Sequence, residues 1–153
     1  MSRRVPRLLL FAALASLPGV RAVGAQTIAV SGNPGLLRVT TAVPGSEPIA
    51  VSNSATTYTV VTPTNPNRPY KVLAQLNAAM PVGLTLAATL DPPPGATSLG
   101  PIALDMVARD VVSGIPRSTN STQGMTWTFT ATVAAGVVPP TTRIVTLTIV
   151  RGP

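Results

Sequence analysis

The chain has 153 residues, of which 45% are hydrophobic and only 10% are charged, and it contains no cysteine and no histidine. Without these two residue types there can be no disulfide, no thiol nucleophile, no imidazole base and no Cys/His site for zinc or copper. The formal net charge of +7 raises the alternative of a nucleic-acid binder, which the position of the charges then disfavours.

Residues 1–25 are predicted to be a secretory signal peptide. A basic start (SRRVPR) precedes an apolar run, Leu8–Leu17, and small residues lead to a cleavage site after Ala25. The run has ten residues, whereas a helix that crosses the hydrocarbon core of a membrane needs about 20. We therefore expect a secreted, periplasmic or cell-surface protein, with no membrane span in the mature chain.

Much of the excess positive charge belongs to this peptide. It carries four of the eleven basic residues and none of the four acidic ones, so the mature chain keeps seven positive and four negative side chains, a net charge of +3. The seven are scattered along the sequence, which is typical of a solvated surface and not of a nucleic-acid groove.

The mature chain, residues 26–153, is predicted to form one all-β domain, and its length is enough to bury about two thirds of the surface of the unfolded chain. Turns with proline and glycine separate short segments rich in Val, Thr, Leu, Ile and Tyr, which is strand composition. The seven or eight predicted strands are Ile28–Val30, Leu36–Thr41, Thr57–Thr62, Tyr70–Asn77, Leu84–Leu90, Met106–Val112, Met125–Val133 and Arg143–Val150. Of these, Met106–Val112 also fits one helical turn.

Several of these segments alternate apolar residues with threonine. In one of them the apolar set is Met125, Trp127, Phe129, Ala131 and Val133, with a threonine at each position between. Successive side chains of a strand point to opposite faces, so each sheet has one dry and one wet face. Two antiparallel sheets packed as a β-sandwich, with Trp127 at the centre, explain this pattern, and a closed barrel is the alternative.

The acidic residues offer little catalytic or metal chemistry. Glu47, Asp91, Asp105 and Asp110 are the only carboxylate side chains and they are scattered, so we expect a non-enzymatic protein without a cofactor. Asp105 and Asp110 stand five positions apart without the spacing of a calcium loop, which favours a polar loop over a metal site.

The aromatic residues of the mature chain are few. They are Tyr58, Tyr70, Trp127 and Phe129, and all four are expected to pack in the core. The sequence therefore predicts neither a stacking platform for a glycan nor one for single-stranded nucleic acid.

The new N-terminus offers a candidate strand donor. The segment TIAV, residues 27–30, alternates, and its Ile28 and Val30 could fill grooves in the core of a neighbouring subunit. The simpler alternative is that this segment forms the first strand of its own sheet.

The stretch GMTWTFTATVAAGVVPPTTRIVTLTIV, residues 124–150, resembles the ending of the spore coat protein U and pilin-like secreted domains. In that ending an alternating strand, a short AAG turn and a final T-x-T-type strand close an immunoglobulin-like sandwich. The resemblance implies this fold and the assembly of fibres or coats by strand donation. The chain differs from chaperone-assembled pilins in lacking their cysteines and the near-terminal tyrosine of the last strand.

Together these features predict an exported, non-enzymatic structural or assembly protein of the bacterial cell surface, such as a fibre or coat subunit, with an immunoglobulin-like antiparallel β-sandwich fold. Its expected partners are further copies of itself or another surface protein, and not nucleic acid. The alternative is a secreted module that binds a glycan or a protein.

Overall fold

The computed structural model describes residues 24–41, 44–64 and 68–152, in which the regular structure is almost entirely β-strand. The strands are β1 (Thr27–Ser31), β2 (Val51–Val61), β3 (Tyr70–Leu76), β4 (Leu84–Leu90), β5 (Thr97–Ser98), β6 (Ile102–Ala103), β7 (Arg109–Ile115), β8 (Asn120–Ala131) and β9 (Val145–Arg151). A 3₁₀ turn at Val133–Ala135 follows β8. The predicted signal peptide lies outside the described residues except for its last two positions, and it stays a prediction.

The described strands form two antiparallel sheets, as the alternation predicts. One sheet has the strand order β1-β2-β8-β4-β6 and the other has the order β5-β7-β3-β9, so both sheets keep free edges. Side chains from both sheets meet in one hydrophobic core. The all-β prediction is therefore confirmed. The described residues contain nine strands in place of the expected seven or eight, because β5 and β6 are additional strands of two residues each.

Strand β8 lies at the centre of the larger sheet and shows how the sequence sorts its side chains. Trp127 pairs with Ala88 of β4, and both face the core. Thr126 pairs with Thr89 on the outer face. Trp127 is 6% exposed, and its indole N–H donates a hydrogen bond to Thr56 Oγ1 at 3.0 Å. The predicted central position of Trp127 is confirmed.

Two strand predictions need correction. Leu36–Thr41 is not a strand, since it runs between β1 and β2 without pairing to any described strand. Strand composition alone cannot form a strand, because the backbone also needs a neighbour in register. In Met106–Val112 the strand starts only at Arg109, because Asp105 Oδ1 accepts a hydrogen bond from the N–H of Val107 and holds a local turn.

The chain leaves β1 at a glycine. Gly32 has a φ of +83°, and a Cβ atom there would lie 2.4 Å from the carbonyl oxygen of Ala55 in β2. Any other residue would therefore be strained by both conformation and contact. The connection that starts here runs from residue 32 to residue 50, which is longer than compact domains usually place between two strands.

Candidate functional site

A cavity of about 910 Å³ opens between the two sheets at one end of the sandwich. Its lining includes four inward-facing side chains that are only half-buried, namely Leu84, Leu86, Phe129 and Val145. Residues 32–41 of the long connection border the same cavity. We call this the open end of the sandwich. Its volume falls in the range of sites that bind small molecules or side chains of a partner.

The opposite end, which we call the closed end, has a fully packed interior. Its largest core side chains are Tyr58, Tyr70, Leu90, Ile115 and Met125, each at most 1% exposed. The two ends differ because β1 ends at Ser31, paired with Thr57, whereas β2 reaches back to Val51 without β1 beside it. Beside this part of β2, the described residues therefore provide no paired strand to cover the open end.

The last strand, β9, has a free edge beside this cavity. It pairs with β3 over seven consecutive residues without a bulge, and no described strand pairs with its other edge. Its residues are Val, Thr, Leu and Ile up to Arg151, so it contains neither a proline nor an inward-pointing charge. Proteins commonly place a proline or an inward-pointing charge in an edge strand to protect it from pairing with another chain. Strand β1 lies close to β9 without pairing with it, so the backbone groups on this edge of β9 have no partner strand among the described residues.

The candidate donor residues lie in β1, which pairs antiparallel with β2 in the same chain. Ile28 is half-buried and packs against the core, whereas Val30 is 52% exposed and lines the cavity. Within one chain the segment thus forms the first strand of its own sheet. Donation of Ile28 and Val30 to a neighbour stays a prediction.

The segment Leu36–Thr41, called the 36–41 segment below, also borders the cavity. Its exposure alternates: Leu37 and Val39 are half-buried, while Leu36 and Arg38 are exposed. Leu37 packs against the core. The segment therefore has the two-residue periodicity of a strand without the pairing of one.

Two of the four carboxylates are held by cations at the surface. Lys71 Nζ lies 2.9 Å from Asp110 Oδ2, and the guanidinium of Arg109 donates hydrogen bonds to both carboxylate oxygens of Asp105. The hydrogen bond from Arg109, aided by the one from the N–H of Val107, lowers the pKa of Asp105. Within residues 24–41, 44–64 and 68–152, no three acidic side chains come together as a metal site would need. The structure thus places Asp105 and Asp110 in two separate ion pairs.

The other two carboxylate residues stabilise loops. Glu47 Oε2 accepts a hydrogen bond from the N–H of Val133, which ties the long connection to the turn after β8. The buried hydroxyl of Tyr58 donates to the backbone carbonyl of Asp91. Burial, together with the nearby charge of Asp91, raises the pKa of Tyr58. The carboxylate of Glu47 thus has a structural role, whereas Asp91 accepts the hydrogen bond through its backbone.

The four aromatic side chains of the described residues belong to the interior. Tyr58, Tyr70 and Trp127 are buried, and Phe129 lines the cavity. The outer faces of the two sheets, as far as the structure describes them, therefore present no aromatic ring on which a sugar could stack.

The cavity and the free edge are the features that the sequence did not reveal. The alternation of β4, β8 and β9 assigns their apolar side chains to a core, but it does not show which of them lack a cover. One signal was present: two turn motifs, GNPG and VPGSEP, flank a single apolar segment between β1 and β2. A connection of that length between strands often has a function of its own.

None of the described segments forms a helix that is both long enough and apolar enough to span a membrane.

The chain was also compared with known proteins. Comparison with protein-family profiles, with curated proteins and with solved structures finds no match.

Proposed function

We propose that this protein is an exported structural subunit of the bacterial cell surface that joins copies of itself by strand addition. The observation that supports it best is the free edge of β9 beside an apolar cavity. Export is the part of the proposal that rests on the signal-peptide features of residues 1–25.

An added strand would complete both features at once. Its backbone would pair with the N–H and C=O groups on the free edge of β9, and every second side chain would point toward the cavity. Val145 and Leu147 of β9 are half-buried and face the core, so an added strand would remove apolar area from water. Each Å² so covered contributes about 25 cal/mol.

The proposal includes an immunoglobulin-like arrangement of the two sheets, in which the position next to β9 is left for the added strand. Such an arrangement would explain why β9 has a regular ladder on one side and no strand partner among the described residues on the other. It would also explain why the half-buried core residues gather at one end of the sandwich.

A glycan-binding module is less well supported. Sugar recognition commonly uses an exposed aromatic ring, and the four aromatic side chains of the described residues face the interior. The wet face of the larger sheet is instead rich in threonine, and its hydroxyls bond to each other across strands, as Thr59 and Thr122 do at 2.7 Å. Such a surface suits contact between protein subunits better than a specific sugar site.

The size distribution of the protein tests the proposal. The full chain is produced in an exporting bacterial host, extracted without heat or denaturant, and analysed by light scattering and on an unboiled gel. We expect a ladder of oligomers. A protein that stays monomeric at every concentration, and that binds a polysaccharide instead, overturns the proposal in favour of the binding module.

A pair of variants locates the contact. Thr146→Lys combined with Thr148→Lys places two lysines on the exposed side of β9, where positive charge on an edge strand opposes pairing. We expect the ladder to be lost. The matched control is Thr122→Lys, an exposed threonine in the interior strand β8, which should leave the ladder intact. Equal ladders from both variants would show that β9 is not the contact.

A further inference from the structure

This inference rests on the proposed assembly and identifies the strand that is added. We infer that each copy contributes its 36–41 segment to β9 of a neighbouring copy, and that the Gly-Pro turns on both sides of the segment act as hinges.

The 36–41 segment has the sequence and the exposure pattern of a strand. Leu37 and Val39 point toward the interior while Leu36, Arg38 and Thr40 are exposed. Yet it pairs with no described strand. If it lay beside β9 of another copy, Leu37 and Val39 would face that copy's cavity and Arg38 would stay in water.

Each chain therefore holds both halves of the interface. The 36–41 segment and Val145, the first residue of β9, border the same cavity. A segment that already lies against this cavity in its own chain can occupy the equivalent place in an identical chain. Exchange of an identical element between protomers is a low-cost route to assembly, since it needs no new kind of contact.

Donation of β1 would cost more than donation of the 36–41 segment. Strand β1 pairs with β2 through five residues, from Thr27 with Val61 to Ser31 with Thr57. Giving β1 to a neighbour would break this ladder and expose the edge of β2. Giving up the 36–41 segment breaks no strand pairing of the described chain. The candidate donor residues Ile28 and Val30 are thus the less favourable choice.

The turns that flank the segment suit a change of direction. Gly32 and Gly35 have φ values of +83° and +69°, with Pro34 between them, and Asn33 Oδ1 accepts a hydrogen bond from the N–H of Gly35 at 2.8 Å. On the other side, Gly45 follows Pro44 with a φ of +80°. Glycines of this kind allow backbone rotations that other residues resist.

Disulfide trapping distinguishes the two donors, and the absence of cysteine from the natural chain gives it a clean background. One protein carries Thr40→Cys, and a second carries Thr146→Cys or Thr148→Cys; all three positions are exposed. Side chains on the same face of paired strands come within about 5 Å at Cβ, close to disulfide range. The two proteins are mixed as unfolded chains, refolded together and oxidised. We expect a mixed disulfide dimer between them.

The matched control replaces Thr40→Cys by Ala29→Cys, an exposed position of β1. If only Ala29→Cys gives the mixed dimer, β1 is the donor: the inference is overturned while the proposed assembly stands. If the ladder forms and neither cysteine gives a mixed dimer, the inference is likewise overturned. If the wild-type chain forms no ladder, the proposed assembly itself fails.

A second measurement does not depend on disulfide geometry. Leu37→Asp combined with Val39→Asp places charge on the inward side of the segment, whereas Leu36→Asp combined with Thr40→Asp places the same charge on its exposed side. We expect the first pair to lose the ladder and the second to keep it, and loss or retention in both would contradict the inference. The emission of Trp127, the only tryptophan of the chain, reports whether each variant remains folded.

Discussion

The two ends of the sandwich are built from the same alternating sequence and differ in what covers them. At the closed end Leu90 and Met125, paired across β4 and β8, are at most 1% exposed. At the open end Leu86 and Phe129 pair across the same two strands, yet both are only half-buried and line the cavity. The difference teaches that alternation decides which way a side chain points, and that neighbouring strands decide whether it is buried.

Two leucines of β4 give the largest expected contrast. Leu90 is fully buried at the closed end, whereas Leu84 is half-buried at the cavity. We expect Leu90→Ala to lower the free energy of unfolding by about 2–5 kcal/mol, because it removes packed apolar atoms and leaves a cavity. Leu84→Ala should cost about 1 kcal/mol, since less area is returned to water. Urea denaturation followed by circular dichroism measures both, and equal losses would show that the ends do not differ in packing.

The same contrast explains how much of the fold could be predicted from the sequence. The alternation of β4, β8 and β9, and the central place of Trp127, follow from a period of two that each strand carries in its own residues. The absence of a strand at Leu36–Thr41 does not follow from the residues of that segment, because strand pairing depends on a backbone that is distant in sequence. The same holds for the start of β2, which lies six residues before the predicted Thr57 and pairs with β8 across a bulge.

The candidate site was harder to predict for a related reason. The cavity opens where β2 extends past the end of β1 and where β9 has no second paired strand among the described residues, and no single residue marks such a place. Ile28 and Val30 were correctly placed on an alternating strand, but their sequence is equally suited to an internal edge and to donation. Only the register of β1 with β2 shows that an internal partner is present.

Hydrogen bonds provide a second contrast, between the core and the wet face. Thr56 is buried and accepts the indole N–H of Trp127, whereas Thr59 shares an exposed hydrogen bond with Thr122. Thr56→Val would leave the indole N–H unpaired, so we expect a loss of about 1–3 kcal/mol in the free energy of unfolding. Thr59→Val should change it by no more than about 0.5 kcal/mol. Chemical denaturation of both variants tests this; a comparable loss from Thr59→Val would contradict it.

Tyr58 gives the closed end a dependence on alkaline pH. Its pKa is raised in the folded state, mainly by burial, above the value of about 10 that tyrosine has in an unfolded chain. The neutral hydroxyl therefore stabilises the fold fully below pH 10, and this contribution is lost as pH rises further and the unfolded chain ionises. We expect the urea midpoint of the wild-type protein to fall between about pH 9 and pH 11.

The matched variants for this prediction are Tyr58→Phe and Tyr70→Phe, at two buried tyrosines of the closed end. Tyr58→Phe should be less stable at pH 9, since it loses the hydrogen bond to the carbonyl of Asp91, but its midpoint should fall less between the two pH values. In Tyr70→Phe the urea midpoint should still fall with rising pH by the amount that Tyr58 causes. A fall of the same size in Tyr58→Phe as in the wild-type protein would contradict this role of Tyr58.

The smallest expected effect lies at the surface of the open end, where the backbone carbonyl of Asp105 accepts a hydrogen bond from the N–H of Leu76, the last residue of β3. The hydrogen bond from Arg109 lowers the pKa of the Asp105 carboxyl below the value of about 3.9 that aspartate has in an unfolded chain. The ionised carboxyl of Asp105 therefore contributes to the free energy of unfolding above pH 4, and this contribution is lost as pH falls through the lower pKa of the folded state. Asp105→Asn should therefore flatten the acid side of the stability profile, and Arg109→Gln should flatten it in part, because it removes the hydrogen bond from Arg109 and leaves the one from the N–H of Val107. The pair is exposed, so 1 M salt, with a Debye length of about 3 Å, should largely remove the difference between variant and wild type. An acid profile that is identical in all three proteins at low salt would show that this pair does not contribute to the stability of the open end.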